Sequence, residues 1–194
     1  MTREGPSGGG ATRRRFGAGL AATAASVVGA ACAAPPRPAA AAAGGGTRVL
    51  SMRHLGTGEA FEAVYYAGGR HLPGAAEAIA RLLRDWRTGE AHPIDPALPD
   101  LLWALLGQLG TAGPVHVTCG YRTPATNALL RREGHGVSAT SLHMRGMAVD
   151  LLVPGRDTAA VRDAAVSLAG GGVGHYPGRG FVHLDTGPVR RWQG

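Results

Sequence analysis

The chain has 194 residues, room for one ordinary domain with an appendage and too few for a large multidomain assembly. At 44% apolar and 17% charged it suits a globular core, and its 32 glycines are unevenly spread rather than fibrous. The formal charge is +7, but five of the 20 arginines and only one acid precede residue 47. The remainder, 15 arginines against 12 acids, is only mildly basic, which argues against binding nucleic acid through bulk charge.

Residues 1–46 contain one aromatic, Phe16, and long runs of Ala and Gly, too little apolar surface to offset the entropy of ordering. Arg13-Arg14-Arg15-Phe16 followed by an uncharged small-residue stretch resembles a twin-arginine export signal. Ala31-Cys32-Ala33 fits a small-residue cleavage site, which gives a signal over 1–34 and a flexible Ala/Pro/Gly linker over 35–46. Lipid modification at Cys32 is the minor alternative, because Gly29-Ala30-Ala31 fits a lipoprotein box poorly. Cleavage leaves Cys119 alone, hence no internal disulfide. Residues 47–194 contain no apolar run long enough to span a bilayer.

In chain order, Val49–Met52 and Glu62–Tyr66 read as a strand pair around Gly56-Thr57-Gly58. Pro73 opens a helical pattern through Ile79, Leu82, Leu83 and Trp86, ending at Thr88-Gly89. Asp95-Pro96 starts a second helix, whose leucines from Leu98 to Leu109 recur at helical spacing. Pro114–Thr118 is a strand leading into the turn Cys119-Gly120-Tyr121-Arg122, and a short helix follows over Thr126–Glu133. Gly146–Val153 is a strand, Thr158–Ala169 a helix with Asp157 as its cap, and Phe181–Asp185 the second strand of a glycine-bracketed hairpin. Strands and helices mix without regular alternation, so the expected fold is α+β, a small and largely antiparallel sheet with packed helices. Trp86, Trp103 and Trp192 are assigned to the core, and Tyr121 and Tyr176 either to packing or to the wall of a cleft.

Two histidines keep unusual company. His143 just precedes a strand that carries Asp150, and His183 lies in another strand. Two imidazoles and a carboxylate make a three-ligand zinc set that leaves one position for water, the arrangement of hydrolytic rather than structural zinc. Spacing alone leaves a hydrogen-bonding role open for each of them.

Ser141-x-His143-x-x-Gly146-x-Ala148-x-Asp150, followed by His183, resembles the zinc signature of the M15 metallopeptidases, the D-alanyl-D-alanine peptidase group. Asp85-Trp86-Arg87-Thr88-Gly89, Ile94-Asp95-Pro96, Gly120-Tyr121-Arg122-Thr123-Pro124, Gly171-Gly172-Val173-Gly174 and Phe181-Val182-His183-Leu184-Asp185-Thr186-Gly187 are similar to an exported murein endopeptidase branch related to that group. The resemblance runs from about Val49 to Trp192. It implies a D-alanyl-D-alanine peptidase-like domain over 47–194, one zinc per chain held by His143, Asp150 and His183, and Arg122 as the arginine that binds substrate and steadies the transition state. Ser141, at a motif position, would either hydrogen-bond the peptide or its neighbouring groups or simply cap its turn.

The group's usual general base is missing, because Gly180 and Phe181 stand at its positions. Asp185, two residues beyond His183 on the same strand face, is the expected base, with orientation of His183 as its other role; His175 is the second candidate. The activity implied is zinc-dependent hydrolysis of peptidoglycan cross-links outside the cytoplasmic membrane, in the periplasm or cell envelope. The alternatives are a D-alanyl-D-alanine-type carboxypeptidase or dipeptidase and a catalytically silent peptidoglycan-binding scaffold.

Overall fold

The computed structural model describes residues 46–194. The expected signal and all but the last residue of the linker lie outside them. Eight strands form a single sheet: β1 (Arg48–His54), β2 (Ala60–Ala67), β3 (Arg70–His71), β4 (Val115–Cys119), β5 (Ala148–Leu152), β6 (Gly172–Tyr176), β7 (Phe181–Asp185) and β8 (Arg190–Gln193). Their order across the sheet is β3-β2-β1-β4-β5-β7-β6-β8. The β1–β4 and β6–β8 pairs are parallel and the others antiparallel, so the α+β class and the antiparallel bias hold while the sheet is larger than expected. Its two shortest strands explain the difference: β3 has two residues and β8 four, too few to show a period-2 pattern.

Alternation along the central strands separates a core face from a polar face. Val149 and Leu151 of β5 and Val182 and Leu184 of β7 join the hydrophobic core, while the intervening Asp150 and His183 face the other way. Four helices complete the domain: α1 (Pro73–Leu82), α2 (Ala97–Gln108), α3 (Pro124–Arg132) and α4 (Thr158–Leu168). Leu98, Leu101, Leu102, Leu105 and Leu106 of α2 and Val161 and Ala165 of α4 are buried in that core. Local chemistry sets the helix starts. The Thr123 hydroxyl accepts from Thr126 N ahead of Pro124 in α3, and Asp157 accepts from Ala159 N in α4. Asp95 accepts from Ala97 N at the start of α2.

The first helix is shorter than its apolar pattern. It ends at Leu82 because the backbone groups beyond it are taken outside the helix: Leu83 O accepts from Tyr121 N at 2.6 Å, and Asp85 N donates to Glu90 O at 2.9 Å. Trp86 is thereby released from the core and 43% exposed. Trp103 does pack against the core, as expected. No helix among the described residues is long and apolar enough to cross a membrane.

Candidate metal centre and cleft

Register brings Asp150 and His183 together, since they are direct antiparallel partners on β5 and β7. His143 arrives from a 3-10 turn, Leu142–Arg145, which Gly146 reverses into β5 with φ 65°, a left-handed conformation suited to glycine. Asp150 Oδ1 lies 2.9 Å from His183 Nδ1 and 3.2 Å from His143 Nε2, and the two ring nitrogens are 3.1 Å apart. All three residues are at least nine-tenths buried.

The outer nitrogens settle what the inner atoms are. His143 Nδ1 donates to the Gly120 carbonyl at 2.7 Å, and His183 Nε2 donates to Asp185 Oδ2 at 2.8 Å. In the neutral rings His143 Nε2 and His183 Nδ1 therefore carry lone pairs, aimed at each other and at a carboxylate. Three acceptors converge with no donor between them, an arrangement that calls for a cation. Tetrahedral ligands at about 2.1 Å from a zinc ion stand about 3.4 Å apart, within a few tenths of an ångström of the separations seen. The donor set thus fits zinc. Burial alone would lower the His143 pKa, but the Asp150 carboxylate, with Cys119, raises it to about 10. Burial also pushes Asp150 up, yet His143 and His183 hold it well below the usual carboxylate range.

Asp185 is not placed as a general base. It is fully buried and faces the outer nitrogen of His183, away from the cluster. Its oxygens also accept from Gly172 N at 3.1 Å, Gly187 N at 2.9 Å and Arg190 at 2.7 and 3.0 Å. Burial raises its pKa, but the bonds from His183, Arg190 and Gly187 outweigh that and hold it well below the carboxylate range, leaving a weak base. His175 is turned away as well. Its neighbour Gly174 pairs with His183, so the His175 ring emerges on the opposite face, bonded to Thr158 Oγ1 at 3.1 Å and to Arg162 at 3.2 Å on α4.

Arg122 is 95% buried, by its 5% exposure, and sits beside the cluster. Asn127 Oδ1 accepts from its Nη1 at 3.1 Å, its Nη2 reaches Cys119 Sγ at 3.4 Å, and its Nε has no partner among the described residues. Asn127 is anchored in turn on Ser138 O, and Arg122 N donates to His143 O at 3.1 Å, tying the arginine turn to the turn that carries His143. Asp85 braces the same turn, accepting from Thr123 N and Thr123 Oγ1 at 2.9 Å each. Ser141 lines the cleft without a side-chain cap bond.

The cluster forms the floor of a cleft of about 550 Å³. Sequence reading missed several of its residues. Trp86 and Trp192, assigned to the core, line the cleft, and the Trp192 ring lies 5.1 Å from that of His183. Tyr176 lines it too, whereas Tyr121 is buried and bonded to Glu90. Cys119, given no role beyond being the surviving thiol, has its sulfur within 4.8 Å of a His143 nitrogen and an Asp150 oxygen. Its position immediately before Gly120-Tyr121-Arg122 was the available signal.

The family model described as peptidoglycan L,D-endopeptidase MepK, within the M15 peptidases, matches residues 42–192. Peptidoglycan L,D-endopeptidase MepK of Escherichia coli K12 is 40% identical over 145 residues, which cover 75% of this chain and 80% of that protein. The probable peptidoglycan L,D-endopeptidase MepK of Haemophilus influenzae is 38% identical over 148 residues, 76% of this chain and 80% of the relative. No solved structure matches. With the family model spanning nearly all of the described residues and relatives aligned across three quarters of the chain, the protein belongs to the MepK family of M15 peptidases.

Proposed function

We propose that the protein is a zinc-dependent endopeptidase that hydrolyses amide bonds in peptidoglycan cross-links, exported by the twin-arginine route and working in the periplasm or cell envelope. The observation that carries this reading is the meeting of three lone-pair donors, His143 Nε2, His183 Nδ1 and Asp150 Oδ1, within 3.2 Å of one another on the floor of a cleft. Family membership supports the substrate class, because the relatives carry the name peptidoglycan L,D-endopeptidase.

When bound, zinc supplies Lewis-acid polarisation of a carbonyl and makes water nucleophilic near neutral pH. The chain's own residues do the rest. The Gly120 carbonyl and the Asp185 carboxylate fix the tautomers of His143 and His183, so that a lone pair and not a hydrogen faces the centre. Arg122 brings a permanent positive charge to the cleft wall, held by Asn127 at 3.1 Å, where it steadies the carbonyl oxygen as negative charge develops. Ser141 lines the cleft and offers the peptide a hydroxyl that has no partner among the described residues. Asp185 orients His183.

The engagement of Asp185 and His175 elsewhere favours a second reading, a wall-binding protein without turnover. Purified sacculi incubated with the zinc-loaded protein, with and without chelator, separate the two. New amine ends, identified by mass spectrometry and absent with chelator, establish the peptidase. Stoichiometric zinc with no released fragment establishes the scaffold.

A further inference from the structure

The cleft is strongly one-sided in charge. Four arginines line it, Arg87, Arg122, Arg179 and Arg190, against one acid, Asp150, which belongs to the metal cluster. Two of the guanidiniums are committed. Arg190 pairs with both oxygens of Asp185, and Arg122 is held by Asn127 and Cys119. Arg87 and Arg179 have no carboxylate partner among the described residues. The Arg87 guanidinium lies 4.3 Å from the centre of the exposed Trp86 ring, and Arg179 makes a single bond of 3.4 Å to the neutral carbonyl of His135.

That bond is at the long limit for an N–H to a carbonyl, so a carboxylate would displace it with a shorter, charge-assisted and bidentate pair. Arg87 enters from the loop after α1, and Arg179 from the connection between β6 and β7. Each is accompanied by aromatic surface: Trp86 beside Arg87, and near Arg179 the stacked rings of Tyr176 and Phe181, 4.6 Å apart. An aromatic flank exposes little competing polar surface and strengthens an ion pair formed against it.

We propose that Arg87 and Arg179 are specificity residues that hold free carboxylates of the wall peptide on either side of the scissile amide, so that the enzyme selects cross-links whose carboxylates are not amidated. The inference rests on the peptidase reading above and goes beyond it by naming the substrate feature and the two side chains that read it.

The test uses the zinc-loaded protein and one cross-linked wall peptide in two forms, with free carboxylates or with the same groups converted to primary amides. The wild type is expected to show a lower KM for the free form. Arg87→Gln and Arg179→Gln each raise that KM by about three- to tenfold, with kcat and the KM for the amidated form within about twofold. The double variant loses the preference. Arg179→Lys, which keeps the charge, retains most of it, and added salt weakens it in the wild type. Equal KM values for the two forms in the wild type, or variants that weaken both forms alike, overturn the inference and leave the peptidase reading standing. If neither form is cleaved, the peptidase reading fails, and calorimetric binding of the same two peptides decides the charge reading: tighter binding of the free form supports it, and equal affinity overturns it.

Discussion

Replacing Asp185 by Asn is the substitution that best separates positioning from catalysis. The carboxylate accepts five hydrogen bonds in a fully buried setting, from His183 Nε2, Gly172 N, Gly187 N and two nitrogens of Arg190. An amide has one accepting oxygen, and its NH2 must stand where the other oxygen was. With the NH2 toward Oδ2's partners it faces His183 Nε2 and Arg190 Nη2; flipped, it faces Gly172 N, Gly187 N and Arg190 Nη1. In both orientations donor meets donor. Two lost bonds to a charged group, at about 1.5 kcal/mol each, destabilise the fold by about 3 kcal/mol, or about 9 °C in Tm for a domain of this size.

The first orientation has a second consequence. His183 recovers a partner by moving its hydrogen to Nδ1, where Asp150 Oδ1 waits at 2.9 Å, and the lone pair aimed at the cluster is lost. Zinc affinity is expected to fall by about 10- to 100-fold. Competition against a chromophoric chelator measures the affinity and differential scanning calorimetry the stability. If Asp185 were instead the proton acceptor, Asp185→Asn would bind zinc as the wild type does and lose only kcat. Wild-type affinity with an unchanged melting temperature refutes the positioning argument.

Three other outcomes are expected. His143→Ala removes one of three donors and should abolish stoichiometric zinc, read by metal analysis after gel filtration, while the far-ultraviolet circular dichroism is kept; full zinc content would refute the ligand assignment. Arg122→Lys keeps the charge but cannot hold Asn127 and reach the substrate together, so kcat should fall by about 100-fold with zinc content unchanged. Burial pushes the Asp85 pKa up, but bonds from Thr126, Thr123 and Arg87 bring it below the ordinary value, so Asp85 stabilises the folded protein above the unfolded-state pKa of about 3.9 and loses that contribution as pH falls through the folded value. Denaturant titrations at pH 6 and pH 3 should therefore show a larger loss of stability for the wild type than for Asp85→Asn; equal losses would contradict the sign.

What was legible in the sequence follows from the range of the forces involved. Period-2 alternation in Val149–Leu152 and Phe181–Asp185 marked both strands that carry proposed ligands, and the ordered motifs pointed to His143, Asp150 and His183. Asp95 and Asp157 announced their helices because a capping carboxylate acts within a few residues. The end of α1 was not legible, since the carbonyl of Leu83 is claimed by Tyr121, 38 residues further on. The choice between the two roles offered for Asp185, base or orienter of His183, was not legible for the same reason, because its partner Arg190 sits at the start of a four-residue strand with too few positions to show a pattern.

The same alternation explains why a weak base stands beside the proposed metal site. On β7, Val182 and Leu184 must face the core, which fixes His183 and Asp185 on one side and places them within bonding distance. A carboxylate there can only turn toward the ring that precedes it by two residues, and Gly172, packed so closely that a Cβ would strike the Asp185–Arg190 pair, seals it from solvent. Closure of that kind removes Asp185 from proton transfer and in return holds His183 in the tautomer a cation requires. In the proposed hydrolase, a strand that pairs a histidine with an acid two residues later under such a seal orients the histidine as a ligand, and a proton acceptor has to come from the open side of the cleft.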